Sequence, residues 1–262
     1  MQRVIAVANQ KGGVGKTTTA VNLGAGLALA GRRTLLVDLD PQANTTRALG
    51  YERDPERRTI YDSLIDGVPM DETLLATELE NLTLCPSENE LAGAEVELIN
   101  LPRREYRMAE LFGALARPFD FVLIDCPPSL SFLTVNALSA ADSVLIPIQC
   151  EYLALEGVTQ LIETLKRVKK ALNPRLNVEG VLLTMYDDRT NLSRQVAEEV
   201  NSFFKGSVYQ TIIPRNIRLS EAPSFGKPIF LYDPRSRGAA AYLELAKEIL
   251  SREGRTETQG AG

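Results

Sequence analysis

The chain has 262 residues, of which 44% are hydrophobic and 24% are charged, and its formal net charge is −5. This composition is typical of a globular protein with one large α/β domain, and it argues against a chain that coats nucleic acid with its whole surface. Histidine is absent, so hydrolytic chemistry must use carboxylates, lysines, backbone groups and metal. The chain has neither a signal-peptide pattern nor an apolar run of about 18 residues, so we expect a cytoplasmic protein.

Short apolar, β-branched runs alternate with helix-length segments along the chain. Several runs are apolar at nearly every residue, which is typical of strands covered on both faces of a parallel sheet. We predict strands at residues 4–9, 34–38, 82–85, 121–125, 143–148, 178–185 and 208–213. We predict helices at residues 16–30, 88–98, 104–116, 130–140, 157–172, 192–204 and 238–252. The alternation predicts a single doubly wound α/β domain over residues 1–252, with a mostly parallel sheet flanked by helices, and a disordered tail at 253–262.

A glycine-rich segment, KGGVGKTT at residues 11–18, connects the first predicted strand to the first predicted helix. Glycines let backbone N–H groups turn toward phosphate oxygens, and the helix N-terminus adds partial positive charge. We expect Lys16 on the β- and γ-phosphates and the Thr17 hydroxyl on Mg²⁺. The segment therefore predicts binding of a nucleoside triphosphate, ATP, with Mg²⁺. The residues predicted to contact it here are Lys11, Gly12, Gly13, Val14, Gly15, Lys16, Thr17 and Thr18.

The segment departs from the general phosphate-loop pattern G-x-x-x-x-G-K-[ST] at its first position, where Gln10 stands instead of glycine. It carries a second lysine, Lys11, at its beginning. Lys11 comes too early to share the position of Lys16 on the phosphates of its own loop. This lysine is either a solvated loop residue or has a function that the general pattern does not describe.

Two later strands end in aspartates. LLVDLDPQ ends the second predicted strand with Asp38 and places Asp40 two residues later, and FVLIDCPP ends the fourth predicted strand with Asp125. An apolar strand ending in Asp beside a phosphate loop suits a Mg²⁺ partner, direct or through water, so Thr17, Asp40 and Asp125 are the candidate metal residues. Asp40 is also a candidate for orienting the attacking water. A lone aspartate at a strand end is more often a helix cap or turn former, so the prediction depends on the three elements together.

These three elements resemble one known family. KGGVGKTT, LLVDLDPQAN and FVLIDCPPSL are similar to the deviant Walker-A ATPases of the ParA/MinD group. LTMY at 183–186, RTNL at 189–192 and IPRNIRLSEAPSFGKP at 213–228 narrow the resemblance to the chromosomal ParA proteins, often called Soj. The resemblance covers essentially the whole chain and implies the P-loop NTPase fold.

The resemblance implies an ATP-driven homodimer switch in chromosome or plasmid segregation. Lys11 would cross the dimer interface to the partner's nucleotide and would be catalytic together with Lys16 and Asp40. A second cation would neutralise charge that develops on the transferred phosphoryl group. Asp125 would support the metal through water. A ParB-type centromere-binding protein would stimulate hydrolysis, and hydrolysis would return the chain to a monomer.

The sequence indicates the identity of the nucleotide base less clearly than it indicates phosphate binding. The guanine-reading N/T-K-x-D pattern is absent. The family's adenine pocket is formed by the loop after the late strand, which implies Pro214 and Asn216 near the base, with Met185 as a further candidate. A turn at Pro214 and core packing at Met185 remain alternatives.

The partner surface is either DNA or membrane. ParA-like dimers bind double-stranded DNA without sequence preference, whereas MinD-like dimers bind membrane through a C-terminal amphipathic helix. Residues 251–262 have no aromatic or aliphatic anchor, so we expect no membrane binding and a nucleoid-associated protein. Arginines can contact DNA phosphates, although each could instead be solvated or salt-bridged, and we expect affinity to fall steeply with added salt. The candidate arginines are Arg189, Arg215, Arg218, Arg235 and Arg237.

A third class with this phosphate loop is an electron-transfer ATPase like the nitrogenase iron protein, which needs paired cysteines at a subunit interface. Cys85, Cys126 and Cys150 lie within or beside apolar runs and show no CxxC spacing. We predict that they are small buried hydrophobic residues in a reduced cytosol.

Overall fold

Seven strands form one sheet in the computed structural model, which describes residues 2–152 and 154–259. The strands are β1 (Arg3–Val7), β2 (Thr34–Asp38), β3 (Leu75–Ala76), β4 (Leu82–Cys85), β5 (Phe121–Asp125), β6 (Ser143–Gln149) and β7 (Asn177–Thr184). They lie in the order β3-β4-β2-β5-β1-β6-β7, and all neighbours are parallel except β3 and β4. This order confirms the predicted doubly wound, mostly parallel sheet.

Helices connect the strands and cover both faces of the sheet. The α-helices are α1 (Lys16–Leu29), α2 (Asn44–Ala48), α3 (Leu91–Glu97), α4 (Arg107–Gly113), α5 (Phe132–Ala140), α6 (Glu156–Ala171), α7 (Asn191–Phe204), α8 (Ile217–Glu221), α9 (Ile229–Tyr232) and α10 (Arg237–Gln259). Short 3₁₀ turns occupy Met70–Thr73, Leu98–Asn100, Arg104–Tyr106 and Ala222–Phe225, and a π turn occupies Asp62–Asp66. Among the described helices, none is both long enough and apolar enough to span a bilayer.

The core has two layers because successive side chains of a strand point to opposite faces. In β1, Val4 and Ala6 belong to the cluster that packs under α3 to α7, whereas Ile5 and Val7 pack against α1 and α10. Strands β2 and β5 are buried at every residue. Full burial of one such aliphatic side chain contributes about 1.5–3 kcal/mol, so the central strands are held in place by both layers.

The predicted strand at 208–213 is wrong. This segment runs beside β7 but forms only isolated bridges, at Val208 and Pro214. Between them, the Glu248 carboxylate of α10 accepts the backbone N–H groups of Gln210 and Thr211, both at 3.0 Å. A side chain from a distant helix therefore takes the hydrogen bonds that a continuous ladder would need. The prediction also missed β3, α2, α8 and α9, which are all five residues or shorter.

The last helix continues beyond its predicted end at residue 252 and reaches Gln259. Residues 253–259 contain no proline and include Glu, Arg and Gln, which are good helix formers. The rest of the predicted tail, residues 260–262, lies outside the described residues. The boundary between domain and tail stays a prediction.

Two glycines cross where the loop after α2 meets the segment before α9. Gly50 and Gly226 both have left-handed backbone, with φ of 86° and 63°. A Cβ atom built on Gly226 would lie 2.5 Å from the Cα atom of Gly50. Both positions therefore require glycine, for conformation and for space. The crossing joins two segments that face the same cavity.

Candidate functional site

The glycine-rich segment forms a loop between β1 and α1 at the carboxyl edge of the sheet. Gly13 and Gly15 have φ of 74° and 87°, and Gly15 is the N-cap of α1 with no side-chain cap hydrogen bond. A Cβ atom on Gly12 or Gly13 would meet nothing within 4 Å, so the loop is open on that side. The first N–H groups of α1 lack a side-chain acceptor at this end, which is the arrangement that binds anions at helix N-termini.

The side chain of Lys16 is buried inside this loop. Only 7% of the residue is exposed, and its Nζ donates to the backbone carbonyl of Lys11 at 3.2 Å. Burial lowers the pKa of Lys16, and the charges of Asp125 and Asp40 act in the opposite direction. A buried ammonium group among these carboxylates has more donors than the carbonyl uses, so it suits a multiply charged anion such as a phosphate.

Asp125 ends β5 directly behind the loop. Its Oδ2 accepts from the hydroxyls of Thr17 at 2.8 Å and Thr45 at 2.7 Å, while its Oδ1 is buried without a hydrogen-bond partner among the described residues. Burial raises the pKa of Asp125 to about 6. An unpaired, buried carboxylate oxygen is costly, and a hard cation or its bound water would satisfy it.

Asp38 is the neighbour of Asp125 on β2, at the same level of the sheet. Its Oδ2 accepts the backbone N–H and the hydroxyl of Thr46, at 2.8 and 2.7 Å, and its Oδ1 accepts the N–H of Asp40 at 3.2 Å. Burial, and then the charge of Asp125, raise the pKa of Asp38 to about 7. Asp38 therefore anchors α2 and the start of the Asp40 loop.

Asp40 lies at the wall of the cavity above the loop. The residue is 8% exposed, and its Oδ1 accepts the N–H of Gln42 at 2.9 Å. Ala43, which caps α2, has a φ of 52°. This left-handed residue turns the chain from Asp40 into α2 and brings both to the phosphate loop.

Two adjoining cavities extend from the loop. The larger, ≈ 610 Å³, is lined by phosphate-loop residues, Asp40, α2 and the 222–227 segment. The smaller, ≈ 310 Å³, is lined by Pro214, Asn216 and Met185, the three residues predicted near the base. Gly15, Thr18 and Met185 line both cavities, so the two are continuous.

Two residues of the predicted loop set do not present their side chains to these cavities. Val14 is 1% exposed, and its carbonyl accepts from the Thr184 hydroxyl at 2.8 Å, so its side chain is structural. Lys11 is half-buried, its N–H donates to Asn9 Oδ1 at 3.0 Å, and it is absent from the described linings of both cavities. The role of Lys11 in a second subunit stays a prediction.

The five candidate DNA-binding arginines are exposed, and we call them the arginine face: Arg189, Arg215, Arg218, Arg235 and Arg237. Four of them form ion pairs with carboxylates of the same chain. The pairs are Arg189–Asp187 at 2.7 Å, Arg215–Glu151 at 2.6 Å, Arg218–Glu221 at 2.8 Å with Arg218–Asp233 at 3.4 Å, and Arg237–Asp188 at 3.9 Å. The salt-bridged alternative therefore describes most of this set.

The sequence interpretation missed several residues of the site. Thr45 holds Asp125, and Arg47 and Lys227 line the larger cavity with two more cationic side chains. The two threonines and the arginine that follow DPQAN in the sequence are the signal that could have indicated Thr45 and Arg47. The cysteines Cys85, Cys126 and Cys150 are buried and free, which confirms their predicted burial.

The glycine loop, the buried lysine and the aspartates at the ends of two adjoining strands define a P-loop protein of the deviant Walker-A class. Residues 2–178 match the AAA domain family. Sporulation initiation inhibitor protein Soj of Bacillus subtilis is 57% identical over 95% of this chain and 98% of its own length. Chromosome partitioning protein ParA of Myxococcus xanthus is 55% identical over 96% and 89%. The chain belongs to the ParA/Soj family of chromosome-partitioning ATPases.

Solved structures show the same fold. A structure described as cobyrinic acid a,c-diamide synthase from Mycobacterium smegmatis with bound ADP and magnesium is 42% identical, with a TM-score of 0.84 over 95% of this chain and 94% of that one. The cell division ATPase MinD from Pyrococcus furiosus is 28% identical, with a TM-score of 0.78 over 96% and 99%.

Proposed function

We propose that this chain is a ParA-type ATPase of chromosome or plasmid segregation, which binds ATP with Mg²⁺, forms a homodimer and then binds double-stranded DNA without sequence preference. The observation that carries the proposal is the group formed by Lys16, Thr17 and Asp125, where a buried cation, a hydroxyl and an unpaired carboxylate oxygen meet behind the phosphate loop. Hydrolysis, stimulated by a ParB-type partner, returns the dimer to monomers in the cytoplasm near the nucleoid.

The two cavities fit the two ends of ATP. The phosphates would lie on the N–H groups of the loop and of the first turn of α1, with Lys16 beside them. The adenine would lie in the smaller cavity between Pro214, Asn216 and Met185, which is apolar enough to accept a ring. Relatives of the same fold are described with bound nucleotide and magnesium, which supports this assignment.

The oxygen groups around Asp125 fit Mg²⁺. Magnesium prefers oxygen ligands and keeps several waters, so Thr17 would hold it directly, and Asp125 and Asp40 would hold it directly or through water. When bound, the cation would neutralise charge on the phosphate oxygens. The Oδ1 of Asp125 would gain the partner that it lacks among the described residues.

The residues of this chain perform the remaining steps. Lys16 neutralises charge on the transferred group, and the loop N–H groups hold the phosphates still. Asp40 accepts a hydrogen bond from the attacking water and so orients it. The backbone N–H of Gln42 donates to Asp40 Oδ1 and thereby holds the carboxylate at the cavity wall. Lys11 of the second subunit would add a cation, so that the catalytic site is complete only in the dimer.

The first test is size-exclusion chromatography with ATP and Mg²⁺ on the wild type, Asp40→Ala and Lys16→Ala, repeated with DNA. We expect a trapped, DNA-binding dimer for Asp40→Ala, because nucleotide stays bound without hydrolysis. We expect a monomer for Lys16→Ala, because the phosphates lose their buried cation. Glu110→Gln, which removes an exposed carboxylate of α4, should behave as the wild type.

Two results would overturn parts of this proposal. If Asp40→Ala stays monomeric with ATP, both the role of Asp40 and the switch fail. A MinD-like, membrane-associated positioning ATPase is the rival function. Co-sedimentation of the ATP-bound dimer with anionic liposomes, but not with DNA, would favour that rival.

A further inference from the structure

The arginine face is interleaved with acidic residues. Its five arginines are matched by five carboxylates that pair with them or lie beside those pairs, so this surface has no excess positive charge in one chain. The carboxylates are Glu151, Asp187, Asp188, Glu221 and Asp233. A second copy of the chain would double a surface that is already neutral. Within these ten residues, a second copy therefore adds no net positive charge.

Two of these ion pairs connect separate segments of the fold. Arg215, in the loop before α8, donates to Glu151 Oε1, which follows β6 and is 64 residues away in sequence. Arg237, at the start of α10, lies 3.9 Å from Asp188 in the loop after β7. Between them, Asp187 accepts two hydrogen bonds from the Arg189 guanidinium, at 2.8 and 2.7 Å. The charge of Arg215 also helps to lower the pKa of Asp187. The groups thus form an alternating sequence of carboxylates and guanidinium groups.

Such pairs are exchangeable. Arg215 and Glu151 have side chains 53% and 45% exposed, and Arg237 and Asp188 have side chains 75% and 67% exposed. In water, an ion pair of this kind is held weakly and is screened by salt. A DNA phosphate offers the same acceptor oxygens to a guanidinium group as a carboxylate does. The phosphate and the carboxylate cannot both take the same N–H groups, so they compete.

We propose that Glu151 and Asp188 compete with DNA phosphates for Arg215 and Arg237, and so lower the DNA affinity of the arginine face. The inference rests on the proposed DNA binding and adds its regulation. The carboxylates favour dissociation of the ATP-bound dimer from DNA, because each of these two arginines, when it leaves a phosphate, has a partner in its own chain. They also favour polyanions, whose closely spaced phosphates can replace several carboxylates together.

The experiment measures DNA affinity for Glu151→Gln and Asp188→Asn, with a non-hydrolysable ATP analogue and Mg²⁺ to hold the nucleotide state constant. The probe is a labelled double-stranded oligonucleotide of mixed sequence. Glu110→Gln is the matched control, since it removes one carboxylate from an exposed pair with Arg103, outside the arginine face. We expect each test variant to bind about two- to fivefold more tightly than the control, as an exposed ion pair allows.

The same substitutions in arginine-deleted backgrounds test the competition itself. In Arg215→Ala, Glu151→Gln should gain no more than Glu110→Gln, and the same should hold for Asp188→Asn in Arg237→Ala. A gain that equals the control in the wild-type background, or that persists without the arginine, would overturn the inference. If the wild-type protein with the analogue binds no DNA, the proposed function itself fails. Size exclusion on each variant separates altered dimerisation from altered DNA binding.

Discussion

We call the larger cavity, together with Asp38 and Asp125 behind its loop, the phosphate cavity. The phosphate cavity and the arginine face both contain carboxylates, but these differ in burial and in hydrogen-bond partners. Asp38 and Asp125 are fully buried and accept hydrogen bonds from threonine hydroxyls. Asp187 and Asp188 lie in an exposed loop and pair with guanidinium groups. Burial raises the pKa of each buried carboxyl, whereas the Arg189 guanidinium holds the pKa of Asp187 well below its usual range.

The difference teaches how each region can change. A buried carboxylate with too few donors is stabilised only by a proton or a cation that enters the cavity, so the phosphate cavity responds to specific chemistry. An exposed carboxylate can be displaced from its guanidinium partner by an anion in solution, so the arginine face responds to salt and to polyanions. Three measurements of stability can break or sharpen this comparison.

The largest effect is expected from Thr45→Val. The substitution removes one of the two hydroxyl donors to the buried Asp125 Oδ2, and a hydrogen bond to a buried charged group contributes about 2 kcal/mol. Denaturant unfolding of the nucleotide-free protein measures this loss. Thr45→Ser keeps the hydroxyl and should recover most of the stability. A loss in Thr45→Ser with none in Thr45→Val would show that the methyl packing, not the hydrogen bond, holds this position.

An intermediate effect is expected from pH. Because the folded-state pKa of Asp38 is raised from 3.8 to about 7, the stability that its protonation contributes is fully present below about pH 3.8, declines as the pH rises, and is lost once the pH has passed through 7. The nucleotide-free protein should therefore be more stable at pH 6 than at pH 8, by about 1 kcal/mol. Unfolding curves across this range measure it. Asp38→Asn should flatten the profile, while Asp187→Asn should leave it unchanged, and a flat wild-type profile would contradict the burial argument.

The smallest effect is expected from Arg218→Ala. Its pairs with Glu221 and Asp233 are exposed and screened, so the thermal unfolding midpoint should not change measurably. The same midpoint measured for Thr45→Val provides the scale. A drop for Arg218→Ala as large as that for Thr45→Val would mean that the two regions do not differ in the way described.

Much of the sheet could be predicted because its strands are short apolar runs with clear limits in the sequence. The segments at 34–38, 82–85 and 121–125 are strands with the predicted bounds, since each is a short apolar run and two of them end in aspartate. Helix α1 begins at Lys16 as predicted, because Gly15 takes a left-handed conformation that starts it. These signals are local, and the parallel sheet then brings the strand ends together.

The remainder depended on contacts that are distant in sequence. No strand forms at 208–213, where the carboxylate of Glu248, more than 30 positions later, accepts hydrogen bonds from two backbone N–H groups. The pairing of Arg215 with Glu151 follows from which loops meet at the carboxyl edge, and no spacing in the sequence indicates it. Thr45 lies in a helix of five residues, which is too short to show a period.

The crossing of Gly50 and Gly226 has a consequence for mutational tolerance. Neither residue offers a side chain to a ligand, yet a Cβ atom at Gly226 would collide with the backbone at Gly50. Selection for function would therefore reject almost every substitution at Gly226 as firmly as it rejects changes at Lys16. In a saturation library the two positions would look alike, although loss at Gly226 reports a collision between two backbones and loss at Lys16 reports missing charge.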